Sequence, residues 1–393
     1  MVRPLSGVTI VSLEQAVAAP FATRQLADFG ARVIKIERPV IGDFARHYDE
    51  SVGGESSYFV WLNRSKESVT LNIKTDEGHK ILHELVDQAD VVVQNLGPGA
   101  ANRIGLGAKD VLARDPRKIV LNITGWGSDG PWSQKKAYDL LVQNEVGLVS
   151  LTGSLKDPAR VGISIADIAA GVYGFSGVLA ALYQREVSGK GASVEVSLFE
   201  ALAEWMGQPM HYAKGSGASP SRVGAHHATI APYGPFTASD GNTIVIAIQS
   251  RAEWDTFCDI FMADATLASD PRFETNALRV ASRTTLNSLI SKRFLELDTP
   301  SIVELLEGSK TAFASMSTMA EFSEHPILAG RDRWRTVATS LGETRALLPP
   351  IQFGDDEARM DPVPGLGAHT EQVLTELGRS PADIAKMRER NVI

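Results

Sequence analysis

The chain of 393 residues has a formal net charge of −8, with 44% hydrophobic and 22% charged residues. This length and apolar content favour two domains with large cores, and the acidic balance argues against a general nucleic-acid binder, which needs a basic field. The single cysteine, Cys258, excludes an internal disulfide and a structural zinc site, so we expect it to be buried filler. These features predict an acidic cytoplasmic protein.

Strand and helix patterns alternate through the first third of the chain. The segments VTIVSLE (8–14) and RVIKIE (32–37) are β-branched, and between them PFATRQLADFG (20–30) starts with proline and ends with glycine, as helices do. The alternation continues with a helix, a strand, a helix and a strand at 76–89, 90–95, 108–115 and 118–124. It predicts an α/β fold with a Rossmann-like parallel sheet, in which ligands bind beyond the carboxyl ends of the strands.

The composition also indicates a domain boundary. A long apolar helix is predicted over about 164–187, and near 214 the chain becomes rich in Gly, Pro and Ser. We interpret this change as a crossing from a large domain into a smaller α+β domain. The predicted bounds are 1–213 with 330–393 for the large domain, 225–325 for the small one, and about 200–235 and 315–350 for the connecting segments. No run of about 18 apolar residues is free of charges and turn residues, so we expect no transmembrane helix and no membrane partner.

The sequence lacks convincing motifs for a dinucleotide-binding site, a metal site and a hydrolase triad. The segment GWGSDG (125–130) has GxGxxG spacing, but Pro131 and Trp132 follow where a dinucleotide-binding helix should begin. His226 and His227 are adjacent, so on an extended segment they point to opposite faces, and no further ligand lies at metal spacing. No GxSxG motif is present. We expect no metal site, no dinucleotide site and no hydrolase triad.

Basic residues follow several of the predicted strands. Each of them alone is typical of a solvated surface, but together on one sheet edge they would hold a phosphorylated ligand. They are Arg38, Lys74, Arg103, Lys135 and Lys136, with Asn95 and a GPG turn between them.

One carboxylate, Asp167, lies within the apolar stretch VGISIADIAAGVYGFSGVLAAL (161–182), which contains no basic residue. Aspartate suits a helix N-cap, and an apolar helical run follows it.

Seven segments resemble one known family in order and over essentially the whole chain. They are LADFGARVIKIERP (26–39), NRSKESVTLNIKTDEG (63–78), DVVVQNLGPGAANRIG (90–105), ITGWGSDGP (123–131), KAYDLLVQ (136–143), ADIAAGVYGFSGVLAALYQRE (166–186) and GKGASVEVSLFEAL (189–202). The sequence resembles the class III coenzyme A-transferases, a superfamily shared with 2-methylacyl-CoA racemases.

The resemblance implies that Asp167 is the catalytic aspartate and that CoA is a substrate, with no cofactor. A carboxylate with apolar neighbours is poorly solvated, which raises the reactivity of an anionic nucleophile and excludes water. This role is compatible with a helix N-cap. The aspartate attacks the thioester of an acyl-CoA to give a mixed anhydride and a CoA thiolate. The thiolate then forms an aspartyl-CoA thioester and releases the donor acid, and an acceptor carboxylate reverses these steps. Backbone N–H groups near the site would stabilise the oxyanions.

The family's CoA contacts coincide in part with the basic cluster. They fall on Gln15, Arg38, Leu71, Lys74, Asn95, Leu96, Arg103, Lys136 and Tyr138, where the choice of Lys136 over Lys135 depends on the alignment. Racemases of the superfamily have a histidine at the Tyr138 position. A tyrosine is a poor base near neutral pH because its pKa is high, so KAYD favours transfer over racemisation.

The substrate class is indicated by RVGAHHATIAPYGPF (222–236), which resembles the branch acting on C4 and C5 dicarboxylates such as succinate, mesaconate and itaconate. It lacks the consecutive glycines of the formyl-CoA/oxalate branch. A second carboxylate in the pocket needs donors, because burying it unpaired is costly. The donors offered are Arg222, His226, His227, Tyr233 and Arg251; alternatively these are surface and loop-shaping residues.

Three functions therefore stand: a CoA-transferase, a 2-methylacyl-CoA racemase, and a CoA-binding protein without catalysis. Within the first, transfer between two molecules and C1–C4 transfer within mesaconyl-CoA both remain open. The resemblance also implies an interlocked homodimer, in which each chain threads through the other. The two long connecting segments are what such threading requires.

Overall fold

The structure, a computed structural model, describes residues 3–354 and 357–393. The chain forms two compact units, the first made of Met1–Val146, Gly162–Met206 and Ala329–Ile393 and the second of Gly147–Val161 and Gly207–Leu328. The domain bounds expected from the sequence remain a prediction. The compact units differ from those bounds in grouping 147–161 and 207–213 with the second unit.

The secondary structure alternates as expected in the first part of the chain. The strands are β1 Thr9–Leu13, β2 Arg32–Glu37, β3 Lys66–Thr70, β4 Val91–Gln94, β5 Ile119–Thr124, β6 Ala192–Ser197, β7 Tyr233–Thr237, β8 Thr243–Ala247, β9 Ala312–Ser315, β10 Trp334–Thr339 and β11 Gly342–Leu347. The helices are α1 Ala18–Asp28, α2 Ser57–Asn63, α3 Asp76–Gln88, α4 Ala100–Arg103, α5 Ala108–Arg114, α6 Asp139–Glu145, α7 Leu148–Leu151, α8 Ile165–Ser188, α9 Leu198–Trp205, α10 Gly207–Ser216, α11 Arg251–Thr256, α12 Asn276–Ala281, α13 Arg283–Leu295, α14 Thr299–Gly308, α15 Met319–Ser323, α16 Pro326–Gly330, α17 Thr370–Glu376 and α18 Pro381–Glu389. Short 3₁₀ turns lie at Phe44–His47 and Ala265–Ser269, and a π turn at Phe257–Phe261.

The first unit is built on a parallel sheet with the strand order β3-β2-β1-β4-β5-β6. Strand β1 pairs with β2, where Thr9 lies opposite Arg32, and with β4, where Ile10 lies opposite Val91. This is the doubly wound order, in which the chain reverses its direction of winding between β1 and β4. The predicted α/β fold with a Rossmann-like sheet is therefore confirmed. The prediction was possible because strands that are buried on both faces appear in the sequence as apolar, β-branched runs.

Helix α8 packs tightly within the first unit. By length and composition it could cross a membrane, so the expectation that no segment would meet these criteria is wrong. Its glycines recur at every third position, and a Cβ at Gly171 would lie 2.7 Å from the Ala18 carbonyl oxygen. A Cβ at Gly177 would lie 2.8 Å from the Val194 side chain. The glycines therefore allow α8 to approach α1 and β6 closely.

The C-terminal segment contributes to the core of the first unit. Leu374 and Ile384 belong to the same buried apolar cluster as Val11, Leu85 and Val92. Backbone hydrogen bonds add to this packing, since the N–H of His369 donates to the Ser68 carbonyl over 3.0 Å. Helices α17 and α18 therefore cover strands that lie far away in sequence.

The second unit contains an antiparallel sheet in the order β7-β8-β9. Its core is aromatic: the rings of Phe257 and Phe261 stack with centroids 5.0 Å apart, and Phe294 lies 5.0 Å from Phe261. Trp254 is fully buried beside them. Cys258 is also buried in this core, and burial raises the pKa of its thiol to about 12. The thiol therefore packs in the core as an apolar side chain and is not a reactive nucleophile.

Candidate active site

The residues expected to contact CoA follow the carboxyl ends of neighbouring parallel strands. Because parallel strands run in one direction, the segments after them share one edge of the sheet. Leu71 and Lys74 follow β3, Arg38 follows β2, Gln15 follows β1, Asn95, Leu96 and Arg103 follow β4, and Lys136 and Tyr138 follow β5.

The loops after β1 and β4 are bound to each other at the point where the winding of the sheet reverses. The Gln15 N–H donates to Asn95 Oδ1 over 2.9 Å, and Asn95 Nδ2 donates to the Gln15 carbonyl over 2.9 Å. The next residue, Ala16, has a φ of 60°. This left-handed conformation costs a non-glycine residue about 1–2 kcal/mol. Strain of this kind persists only where the surroundings enforce it, and it clusters at functional sites.

The basic side chains at this edge are exposed and engage few groups of the protein. Arg38 Nη2 donates to the Gly42 carbonyl over 3.2 Å, and Arg103 Nη1 donates to the Pro98 carbonyl over 3.4 Å. Lys74 is exposed. Each guanidinium therefore keeps N–H groups for an anionic ligand.

The two neighbouring lysines differ in their surroundings. The Lys135 ammonium lies 3.5 Å from the centroid of the Trp132 ring and 3.5 Å from Glu145 Oε1. Lys136 is exposed, and within residues 3–354 and 357–393 its ammonium has no hydrogen bond or ion pair. Lys136 is therefore the lysine with a free charge.

Asp167 lies in the first turn of α8. This helix ends just before β6 begins, so its first turn lies at the carboxyl edge of the sheet. Ser164 is the N-cap of α8 and Asp167 is its third residue, so the alternative that Asp167 is the N-cap is wrong. Among the described residues, no side chain or N–H group binds its carboxylate. Burial raises the pKa of Asp167 to about 7, and the neighbouring Asp139 carboxylate adds to this rise.

Asp139, at the start of α6, supports the first turn of α8. Its Oδ1 accepts the Ala166 N–H over 2.7 Å, and its Oδ2 accepts from Gln143 Nε2 over 2.7 Å. The bond to Ala166 satisfies a helix-terminal donor that the N-cap Ser164 leaves unpaired. No role for Asp139 was predicted from the sequence. Its signal was its place directly after Tyr138 in KAYD.

Two tyrosines belong to the surroundings of Asp167. Desolvation raises the pKa of Tyr48 to about 12, and the charges of Asp43 and Asp167 contribute. Its phenol therefore stays protonated and remains a hydrogen-bond donor near neutral pH. Tyr138 lies near Tyr48 and is 66% exposed. Sequence reasoning found Tyr138 but missed Tyr48, which no motif or spacing marks.

A buried ionic network lies next to the loop after β1. Lys66 Nζ donates to Glu14 Oε1 over 2.7 Å, and Lys35 Nζ donates to Asp43 Oδ2 over 2.8 Å and to Glu14 Oε1 over 3.4 Å. All four side chains are buried. The network balances two cations against two anions, as buried charges require.

Arg222, expected to bind a substrate carboxylate, bonds to carbonyl groups within the second unit. Its guanidinium donates to the carbonyls of Ser150, Ser154 and Leu155 over 3.2, 2.9 and 3.0 Å. These bonds, with the backbone bond from the Gly224 N–H to the Gly153 carbonyl, join 150–155 to the same unit. Arg251 likewise pairs with Asp255 over 2.7 Å.

The adjacent histidines have different surroundings. The His227 ring stacks on Tyr233 with centroids 5.1 Å apart. His226 packs against Phe236, with ring centroids 5.7 Å apart, and its buried Nδ1 has no hydrogen-bond partner among the residues described. Burial also lowers the pKa of His226, so its ring is neutral near pH 7. In the part of the chain that the structure describes, no group of three His, Cys, Asp or Glu side chains is arranged for a metal ion.

Comparison with known proteins identifies the family to which the chain is similar. The sequence pattern of CoA-transferase family III matches residues 5–370. Succinyl-CoA:glutarate CoA-transferase of Homo sapiens is 34% identical over 385 residues, covering 96% of this chain and 87% of that protein. Succinyl-CoA:mesaconate CoA-transferase of Haloarcula hispanica is 30% identical over 390 residues, covering 95% and 96%. The crystal structure of a CAIB/BAIF family protein from Brucella suis superposes with a TM-score of 0.84 at 31% identity, covering 96% of this chain and 100% of that one.

Proposed function

Because the chain belongs to CoA-transferase family III and is a CoA-transferase, we propose that Asp167 is the nucleophile that transfers CoA from a dicarboxylyl-CoA such as succinyl-CoA. The acceptor is a C4 or C5 dicarboxylic acid such as itaconate or mesaconate. The observation that supports this proposal is the Asp167 carboxylate itself, which has no cation beside it among the described residues and lies at the carboxyl edge of the sheet. Relatives named for succinyl-CoA with glutarate or mesaconate support the substrate class.

The proposed reaction conserves the thioester bond energy without an added cofactor. An Asp167 oxygen attacks the acyl-CoA carbonyl, the C–S bond breaks, and a mixed anhydride and a CoA thiolate result. The thiolate attacks the Asp167 Cγ and expels the donor carboxylate, which leaves an aspartyl-CoA thioester. An acceptor carboxylate attacks this thioester and releases the thiolate again, and thiolate attack on the new acyl group frees Asp167. No net proton is taken up or lost.

The surroundings of Asp167 suit each of these steps. A carboxylate that lacks a cation and is poorly solvated is a stronger nucleophile than one in water. With a pKa of about 7, a large fraction of Asp167 is ionised at neutral pH. Asp167 is half-buried, and keeping the remaining water from it would protect the anhydride and the thioester from hydrolysis. The exposed Arg38, Lys74 and Lys136 offer charges to the phosphates of CoA.

The proposal includes the form in which the enzyme works. We propose an interlocked homodimer in the cytoplasm, with carboxylic acids and acyl-CoA as its small-molecule partners. Sedimentation at micromolar concentration tests the assembly. A stable folded monomer with full activity would contradict it.

The test of the nucleophile is a trapping experiment. The protein is incubated with succinyl-CoA, treated with hydroxylamine, and digested for peptide mapping by mass spectrometry. We expect a hydroxamate at Asp167 in the wild type and none in Asp167→Asn. Modification at another residue, or full turnover by Asp167→Asn, would refute the proposal.

The test of the substrate class is an acceptor screen with succinyl-CoA. Glutarate, mesaconate, itaconate, oxalate, formate and butyrate are offered separately, and the new acyl-CoA is identified by mass spectrometry. We expect the C4 and C5 diacids to react fastest. Preference for a monocarboxylate would overturn the diacid assignment and leave the transferase assignment intact. Isomerisation of mesaconyl-CoA without added acid would assign intramolecular transfer instead.

A further inference from the structure

Asp43 connects the loop after β1 with the turn that precedes Tyr48. Its Oδ1 accepts the N–H of the strained Ala16 over 3.1 Å and the N–H of Ala45 over 2.9 Å. Ala45 lies in the 3₁₀ turn Phe44–His47, which leads directly to Tyr48. One carboxylate oxygen therefore holds both the loop after β1 and the turn that presents Tyr48.

Asp43 is itself held rigidly. Its Oδ2 accepts from Lys35 Nζ over 2.8 Å, and its backbone N–H donates to Glu37 Oε2 over 2.9 Å. The preceding Gly42 has a φ of +68°, and a Cβ there would lie 2.8 Å from Glu37 Oε2. Charge-assisted bonds in a buried site leave the carboxylate a single position.

We propose that Asp43, held by Lys35, is a positioning residue for the covalent step at Asp167. The inference rests on the proposed function and assigns to it a residue that is not among the predicted CoA contacts. Asp43 enforces the left-handed conformation of Ala16 and fixes the loop after β1 together with Tyr48.

The packing of α8 transmits this positioning to Asp167. One turn beyond Asp167, Gly171 allows α8 to contact the start of α1, where a Cβ would lie 2.7 Å from the Ala18 carbonyl oxygen. The loop held by Asp43 leads directly into this end of α1. A shift of the loop therefore changes the surroundings of Asp167, and a misplacement of about 1 Å costs a reaction about 100-fold.

The test compares Asp43→Asn with a matched control. The rate at which succinyl-CoA modifies Asp167 is measured in a single turnover at saturating substrate, and CoA affinity is measured by calorimetry. In Asp43→Asn an amide NH2 replaces Oδ2 and faces the Lys35 ammonium, so the side chain loses the bond that holds it in position. We therefore expect the rate to fall by at least about tenfold while the Kd for CoA changes by less than about threefold. A loss confined to the rate separates positioning from binding.

The control is Asp28→Asn. Asp28 is equally buried in the first unit, but its carboxylate pairs with Arg24 and Arg64, each over 2.8 Å. We expect its modification rate to stay within about threefold of the wild type at a comparable loss of stability. The inference is overturned if Asp43→Asn reacts at the wild-type rate, or if Asp28→Asn loses as much rate.

A second variant keeps the test decisive if Asp43→Asn does not fold. Lys35→Met combined with Asp43→Asn removes both partners, so neither charge is left buried alone, and Glu14 keeps Lys66. We expect the same loss of rate in this double variant. A folded double variant with the wild-type rate would refute the inference. Absence of the adduct in the wild type would instead refute the proposed function.

Discussion

Glu14 and Asp167 are two carboxylates at the same edge of the sheet, and their pKa values move in opposite directions. Burial alone would raise the pKa of Glu14, but Lys66 and Lys35 outweigh it and hold the pKa below its ordinary value. In the described part of the chain, Asp167 has no cation beside it, so burial raises its pKa to about 7, and the neighbouring Asp139 carboxylate adds to the rise. The comparison teaches that pairing makes a buried charge structural, whereas isolation leaves it available for chemistry.

The largest expected effect is a loss of stability when the buried ion pair between Lys66 and Glu14 is broken. Lys66→Met removes the closest cation from Glu14, and loss of one partner of a buried pair costs about 3–5 kcal/mol. We expect a lower urea midpoint with an unchanged slope. Glu14→Gln combined with Lys66→Met serves as the control and should recover much of the loss. Equal stability of the wild type and Lys66→Met would show that the pair is not structural.

Replacing the unpaired carboxylate of Asp167 should change the free energy of unfolding in the opposite direction. Because folding raises the pKa of Asp167 from 3.8 to about 7, its protonated form favours the folded state, and that contribution is lost as pH rises through 7. Asp167→Asn avoids this loss, so it should be more stable than the wild type by roughly 2–4 kcal/mol at pH 8. The difference should shrink toward pH 4 in urea titrations. A variant less stable than the wild type at pH 8 would contradict the assignment of Asp167 as an unpaired group.

A smaller effect is expected on the pH dependence of the reaction. Only ionised Asp167 attacks, so the rate of its modification should rise with pH to a plateau with a midpoint near 7. Asp139→Asn keeps an acceptor for the Ala166 N–H but removes the like charge, which should move the midpoint to lower pH. Glu145→Gln, on the same helix, is the control and should leave it in place. An unchanged midpoint in Asp139→Asn would exclude the coupling between the two acids.

The smallest expected effect is on CoA affinity, where the unpaired Lys136 is compared with the paired Lys135. Lys136→Met removes an unpaired charge and should weaken CoA binding by about three- to tenfold in calorimetry, less in high salt. Lys135 is engaged with Trp132 and Glu145, so Lys135→Met should change the affinity by less than about twofold. A reversed order would assign the phosphate contact to Lys135.

The sequence alone determined most elements of the parallel sheet. The apolar, β-branched run 32–37 matches β2, and the apolar period over 76–89 matches α3, Asp76–Gln88. Strand β3 was not recognised, because it begins with two charged residues, Lys66 and Glu67. Lys66 is buried only because Glu14, more than fifty residues earlier, neutralises it. Pairing over such a distance leaves no periodic signal.

At the candidate site, too, the sequence predicted some features and only the tertiary structure revealed others. The sequence singled out Asp167 as a carboxylate inside an apolar run without a basic residue, which is a local feature, and the family resemblance predicted its catalytic role. The tertiary structure alone decided what stands beside it: Asp139 at the first turn of α8, Tyr48 nearby, and Asp43 bound to both Ala16 and Ala45. The strained φ of Ala16 was equally invisible, since alanine gives no sign of a left-handed residue. Local pattern specifies helices, strands and an isolated charge, whereas the partners that set a group's pKa and position come from distant segments meeting at one sheet edge.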